Sequence, residues 1–538
     1  MLKTEIKIPS REDILAVLRQ AQAPLTREQV FEHLKLTEDQ IPIIEKRLNA
    51  MERDGQLMPN RKGMLLLSTK LDFVAGRVAG HRDGFGFLVR DDRGPDAFLS
   101  PREMQKVLHG DRVLVRITGT DHRGKPEGTI VEVTERKTNR LVGRLVSERG
   151  ILLVIPEDQR IKHDILVSPK DVGNATPGKV VTVEIIEQPT RHSQPIGKVA
   201  EVLGELDDPG MEIEIALRKH DLPHEFPPEV ETQAKKLPKK VLKKDWAGRE
   251  DITQLPLVTI DSETARDFDD AVYCEKSGRG WRLVVAIADV SHYVKPGDAL
   301  DGEAYSRGNS VYFPRRVIPM LPEALSNGLC SLNPQVERLC MVCDMNINAR
   351  GDLGDYRFYP AVMFSHARLT YTQVWNWLSD EEKPGKEHMP LLPHLQNLQK
   401  LFHLLQKNRQ KRGAIDFESV ETRMLFDDHG KITRIEPVHR NDAHKLIEEC
   451  MLAANTCAAD FLISNKRPGL YRVHEGPTPE KLQALRGFLA EFGLQLGGGD
   501  EPQAKDYAAL LEKIKPRPDA QLLQTVMLRS LKQAMYSP

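Results

Sequence analysis

At 538 residues the chain is long enough for several domains, each with a core of its own. A formal net charge of −1, with 29% charged and 40% hydrophobic residues, is an ordinary soluble composition without overall basic excess, so any nucleic-acid binding must come from local patches. Six cysteines in this length exclude a disulfide framework, and the absence of a signal-peptide core or a long apolar run leads us to expect a cytoplasmic protein without a membrane partner.

Residues 1–68 predict a small helical domain. Ser10 and Thr26 are N-caps, Thr26 forming a capping box with Gln29. Ile14, Leu15 and Leu18 give the first helix an apolar stripe, as do Val30, Phe31 and Leu34 for the second. A third helix starts near Pro42, carries Ile44, Leu48 and Met51 inward and stops at Gly55. Gln56–Met58 and Gly63–Leu67 can then pair as a hairpin. Three helices and a hairpin predict a winged helix-turn-helix, a nucleic-acid module; a protein-docking bundle is the alternative.

An internal repeat follows. Gly76-Arg-Val returns as Gly143-Arg-Leu, His109-Gly-Asp-Arg-Val113 as Pro177-Gly-Lys-Val-Val181, and Gly128-Thr-Ile-Val-Glu-Val133 as Gly197-Lys-Val-Ala-Glu-Val202. Short strands punctuated by Gly and Pro predict two tandem β-barrels, residues 70–137 and 138–205. In the first, Phe85 and Phe87 alternate onto one face with Phe98 beside them, and the intervening Gly86 is expected to let a base approach. This resembles the cold-shock, OB-type domain, which binds single strands. The matching stretch of the second unit lacks aromatics, leaving Arg149, Arg160, Lys162 and His163 as candidate contacts. Residues 206–250 form a basic connector in which lysines recur in pairs from Lys235 to Lys244; Pro238 argues against one continuous helix.

Residues 251–538 read as a larger mixed α/β domain. Its most informative stretch is Asp261-Ser-Glu-Thr-Ala-Arg-Asp-Phe-Asp-Asp270, set between the apolar runs Leu257–Ile260 and Ala271–Cys274. Asp261, Asp267, Asp269 and Asp270 share one strand-loop-strand connection, with Arg266 the sole cation within it. Two carboxylates roughly 5 Å apart repel by about 3 kcal/mol at an effective dielectric of about 20. Gathering four therefore calls for a cation, and all-oxygen ligands point to Mg²⁺, with Mn²⁺ the alternative. An EF-hand fails because Ala271 and Val272 stand where a ligand and Gly are needed. Cys340-Met-Val-Cys343 lacks a second pair and reads as a buried strand. Tyr312–Pro322, rich in proline, predicts little regular structure, whereas Leu398–Arg409 and Asp442–Ser464 predict helices.

The run Ile260–Val272 resembles the signature of the RNB exoribonucleases. Ile287–Val294, Asn309–Pro314, Gly413–Glu418, Ala443–Asn455 and Tyr471–Glu475 carry the resemblance further. The winged helix ahead of two cold-shock-like domains, with Gly210–His220, resembles the ribonuclease R branch of the family more than the ribonuclease II branch. The expected fold is therefore multidomain α+β: winged helix-turn-helix, two OB-type barrels and an RNB catalytic domain.

The resemblance implies processive 3′→5′ hydrolysis of single-stranded and structured RNA to nucleoside 5′-monophosphates, in RNA decay and quality control. It implies catalytic and Mg²⁺-binding roles for Asp261, Asp267, Asp269 and Asp270. It also implies stacking of Tyr312 and Phe417 on bases near the 3′ end, and reading of the ribose by Tyr371 and Glu449. A monomer acting on a 3′ single-stranded RNA end, with ribosome and trans-translation association, completes the picture. The family continues beyond the position matching Pro538 with an arginine motif, a late acidic residue, an S1 domain and often a basic tail. A fragment of impaired activity is therefore expected; an RNA-binding protein or chaperone with a non-functional nuclease half is the alternative.

Overall fold

Ser10 and Thr26 start helices as their side chains dictate. The Ser10 hydroxyl accepts from the Asp13 amide and the Thr26 hydroxyl from the Gln29 amide, and both N3 side chains return the bond to the cap backbone. The computed structural model describes residues 8–21, 25–53, 56–59, 64–67, 73–120, 124–417 and 421–538. The stop expected at Gly55, the turn through residues 60–63 and Glu418 lie outside them. The chain divides into two compact units, Met1–Leu222 and Pro223–Pro538.

In the first unit, α1 (Arg11–Gln20), α2 (Arg27–His33) and α3 (Ile41–Arg53) precede a hairpin of β1 (Leu57–Pro59) and β2 (Leu65–Leu67). Ile14, Leu18, Val30, Ile44, Leu48 and Met51 form one core with Leu57 and Leu65. This is the winged-helix arrangement expected from the helical periodicities.

Two closed five-stranded barrels follow. The first comprises β3 (Phe73–Gly80), β4 (Gly86–Arg90), β5 (Ala97–Leu99), the short α4 (Pro101–Met104), β6 (Arg112–Thr120) and β7 (Pro126–Glu135). The second comprises β8 (Arg140–Glu148), β9 (Ile151–Pro156), β10 (Ile165–Val167), β11 (Val180–Glu187) and β12 (Ile196–Gly204). Their topologies are the same, with third and fifth strands parallel and the other pairs antiparallel. The repeated residues pair with one another: Gly76 faces Val113 as Gly143 faces Val181. Steric crowding explains the repeated glycines. A Cβ on Gly76 or Gly143 would meet a carbonyl of the next strand at 2.3 or 2.4 Å. Helix α5 (Met211–Lys219) packs Met211 against Val142 and Val180.

In the second unit the lysine pairs are broken up as Pro238 required, α6 (Pro228–Lys235) ending before it. A seven-stranded mixed sheet is built from β13 (Glu250–Asp251), β14 (Val258–Asp261), β15 (Asp270–Ser277), β16 (Gly280–Ala288), β19 (Glu337–Ile347), β20 (Leu353–Phe364) and β21 (Ala367–Thr370), in the order β13-β20-β19-β16-β15-β14-β21. Helix α7 (Ala299–Arg307) and a small hairpin lie between β16 and β19. That hairpin, β17 (Val311–Phe313) and β18 (Arg316–Ile318), corrects the expectation of little regular structure. Proline is accommodated because Pro314 sits in the two-residue turn, beside Arg315 at φ +65°. Cys340 and Cys343 are buried on β19, as expected.

Helices α8 (Tyr371–Leu378), α9 (Leu392–Lys411) and α10 (Asp442–Ser464) share a core with one set of sheet residues, including Ile260, Val272 and Leu369. A hairpin of β22 (Glu421–Phe426) and β23 (Ile432–Val438) separates α9 from α10. The chain finishes with β24 (Tyr471–Val473), three helices, α11 (Pro479–Glu491), α12 (Ala504–Ile514) and α13 (Ala520–Ser530), and β25 (Met535–Ser537), which pairs with β24.

Candidate active site

The acidic loop leaves the sheet at the end of β14 and re-enters at the start of β15. Asp261 is the last residue of β14 and Asp270 the first of β15, neighbouring strands buried on both faces. The backbone around the aspartates is fastened. Ala288 N donates to Asp269 O at 2.9 Å, and Phe268 N to the Ser331 hydroxyl at 3.0 Å. That hydroxyl donates in turn to Arg266 O at 2.9 Å. Phe268 anchors the loop, its ring 3% exposed and covered by the Arg368 guanidinium 4.8 Å away. Arg368 also donates to Glu263 O and Ala265 O.

The carboxylates feel one another. Burial first, then Asp261 and Asp269, pushes the Asp270 carboxyl up to about 6. Burial and the charges of Asp267 and Asp261 raise Asp269; burial, then Asp267, raises Asp261 against an opposing bond from the Ser262 amide. The arginine acting on Asp261 is Arg368 from β21, not Arg266 from within the loop. Among the described residues, however, no three His, Cys, Asp or Glu side chains already form a metal cage. The donors are all hard oxygens, concentrated and underneutralised, which suits Mg²⁺ or Mn²⁺.

Two tyrosines adjoin the aspartates. The Tyr312 hydroxyl donates to Asp267 Oδ2 at 2.5 Å, which raises its pKa to about 12, while the residue stays 63% exposed. Tyr371 starts α8 directly after Thr370, the strand partner of Asp261. Burial, then Asp261 and Asp270, holds its phenol well above the ordinary value. The His444 imidazole stacks on its ring, and burial holds that imidazole below its ordinary pKa.

Glu449 and Phe417 stand apart. Glu449 lies beyond the first turn of α10, is 6% exposed and is paired with Arg409 at 2.9 Å. Phe417 packs on the core of α11–α13 rather than presenting an open face. Ser331, Arg368, His444 and Arg409 were not singled out from sequence; only His444 lies within a recognised motif.

In the first unit, Phe85, Phe87 and Phe98 converge on the outside of the first barrel, with ring centroids 5.6 to 6.1 Å apart. His81 stacks on Phe85 at 4.3 Å, and Lys125 lies over Phe87. The expectation for Gly86 is corrected: it faces inward, where a Cβ would meet Met104 Sδ at 2.5 Å, so it serves barrel packing rather than an approaching base. A cleft of about 640 Å³ joins both barrels and α5, and its lining includes Arg77, Lys137, Arg140 and Lys219. Of the second barrel's candidates, Arg160 is tied to Asp158 and His163 to Gln105 O.

Comparison with known proteins places this geometry. The RNB domain model matches residues 249–538, over half of the chain. The chain belongs to the RNB family. A cold shock domain model also matches residues 153–227 and a ribonuclease B OB domain model residues 76–133. The chain is 51% identical to ribonuclease R of Escherichia coli over 533 residues, covering 99% of this chain and 66% of that protein. Ribonuclease R of Thermotoga maritima is 38% identical, with coverage of 96% and 73%. The chain thus spans about two thirds of the length of these relatives. Among solved structures, Mycoplasma genitalium RNase R in complex with ribose-methylated single-stranded RNA superposes with a TM-score of 0.81 at 29% identity, covering 86% of this chain and 73% of that one. Yeast Ssd1, a pseudonuclease, has a TM-score of 0.62 at 16% identity, covering 87% and 64%, a likeness of fold alone. Within the RNB domain, then, the aspartates at β14 and β15 must be judged on their own chemistry.

Proposed function

We propose that this RNB-family chain hydrolyses RNA processively from the 3′ end, single-stranded or structured, to nucleoside 5′-monophosphates. The observation that carries the reading is the gathering of Asp261, Asp269 and Asp270 at the ends of β14 and β15, each raised first by burial and then by its acidic neighbours. A divalent ion held by these carboxylates, Mg²⁺ or alternatively Mn²⁺, would neutralise phosphate charge and acidify an attacking water. Asp267 completes the donor set, and its bond to Tyr312 ties it to an aromatic that is free to stack on a base.

Phosphoryl transfer asks the protein mainly to position groups and offset charge, so no Ser-His nucleophile is needed. In this reading Tyr312 holds a terminal base and Phe417 joins it by turning out of its packing against α11–α13; Tyr371, with Glu449 held by Arg409, distinguishes ribose from deoxyribose; and Phe85, Phe87 and Phe98 stack the incoming strand. The basic cleft receives its phosphates. The protein acts in the cytoplasm as a monomer, in RNA decay and quality control with ribosome and trans-translation association. The relatives named ribonuclease R support the activity, and the RNA-bound Mycoplasma enzyme supports the substrate.

The test offers end-labelled RNA with a 3′ overhang, and DNA of the same sequence, with Mg²⁺. Mononucleotides from RNA alone are expected. Strand binding without nucleotide release would leave an RNA-binding protein, and equal cleavage of DNA would remove the ribose assignment.

A further inference from the structure

We propose that Ser331 is a positioning residue for the acidic site, holding Asp267 in the direction from which it meets a divalent ion. The proposal rests on the reading of the four aspartates as metal ligands. Its basis is the way one buried hydroxyl closes over one acidic residue. Ser331 is 0% exposed. Its oxygen accepts from Phe268 N at 3.0 Å and donates to Arg266 O at 2.9 Å, so the peptides on both sides of Asp267 are tied to one atom. A hydroxyl has one proton and two lone pairs and can make both bonds at once. Leu332 N adds a third tie, to Phe268 O at 2.8 Å.

The bracket is itself rigid. Arg338 Nε, from a residue 8% exposed, donates to Ser331 O at 2.8 Å, and Asn333 Nδ2 donates to Asn327 O at 3.0 Å. Among the described residues no other side chain bonds the two peptides that flank Asp267, the Arg368 bonds reaching only Glu263 O and Ala265 O. Asp261 and Asp270 are set by strand pairing and Asp269 by Ala288, so Asp267 is the member of the set whose backbone is held by a side chain, while its carboxylate meets Tyr312. Groups hydrogen-bonded to a metal ligand commonly change metal affinity by about 10- to 100-fold when removed, and Ser331, which holds the peptides flanking the ligand, belongs at the low end of that range.

The experiment titrates metal-free protein with Mn²⁺ and reads the free ion by electron paramagnetic resonance, so it needs no turnover. Ser331→Ala and the nearly isosteric Ser331→Cys are each expected to weaken Mn²⁺ binding about tenfold, with circular dichroism and the unfolding midpoint still reporting a folded protein. In an Asp267→Asn background, Ser331→Ala should weaken binding no further. Unchanged affinity in a folded variant overturns the proposal, as do additive losses in the double variant. Failure of both variants to fold also overturns it, assigning the hydroxyl to general stability. Wild-type protein that binds no Mn²⁺ would defeat the metal reading itself and the proposal with it.

Discussion

Arg409 on α9 reaches Glu449 on α10 with a 2.9 Å charge-assisted bond, and extends to Glu448 at 3.3 Å. The Glu449 side chain is 8% exposed and that of Arg409 23%, so the pair is largely shielded from solvent on the carboxylate side. Removing one member of a buried pair is costly because it strands the other, although partial exposure of Arg409 reduces that cost. Arg409→Gln should lower unfolding free energy by about 1–3 kcal/mol in urea, and Glu449→Gln, which keeps a hydrogen-bonding side chain, by less.

Tyr371 and His444 lie face to face, centroids 4.0 Å apart and 19° from parallel. If this stack presents the tyrosine to the ribose, Tyr371→Ala should raise the ratio of DNA to RNA cleavage, chiefly by loss on RNA. His444→Ala should move the ratio the same way by a smaller factor. An unchanged ratio for Tyr371→Ala would assign the ring to packing.

Asp270 carries a pH signature. Its folded pKa of about 6 lies above the ordinary carboxylate value, so the metal-free folded chain holds this proton more tightly than the unfolded chain does. Its stabilising contribution is complete below about pH 4 and is lost as pH rises through about 6. Other carboxylates, such as Asp289 and Asp344, are lowered and act in the opposite sense. The measurement is therefore the wild-type stability minus that of Asp270→Asn, in a chelator. That difference should fall between about pH 4 and pH 6, and Mg²⁺ should restore it most at the upper end. A difference that rises across the window would contradict the assignment.

The two barrels make a paired prediction. Gly76→Ala and Gly143→Ala each drive a methyl into a backbone carbonyl, so each should destabilise its own barrel by about 1–3 kcal/mol. Phe87→Ala removes a ring from the outer face, so it should leave melting nearly unchanged. It should weaken single-strand binding by about 1–3 kcal/mol.

Local chemistry was legible in the sequence. Ser10 and Thr26 announced their caps, the repeated glycines two equivalent barrels, and the aspartates between apolar runs a strand-loop-strand site. What escaped was set by contacts distant in sequence. Nothing near Glu449 indicates Arg409, 40 residues earlier, and nothing near Asp267 indicates Ser331. Alternation fixes which residues share a face with Gly86, but not that Met104 fills the barrel behind it. Proline breaks regular structure in most settings, but Pro314 forms the tip of a hairpin, which composition does not distinguish.

The measurement that bears most directly on the account compares wild type with Asp269→Asn on 5′-labelled RNA bearing a 3′ single-stranded end, with Mg²⁺, reading binding and nucleotide release on the same samples. The account predicts that both proteins bind the RNA with similar affinity, and that stepwise release of nucleoside 5′-monophosphates, however slow, is seen with wild type alone. Release by Asp269→Asn at the wild-type rate would contradict the assignment of the acidic loop as the catalytic centre.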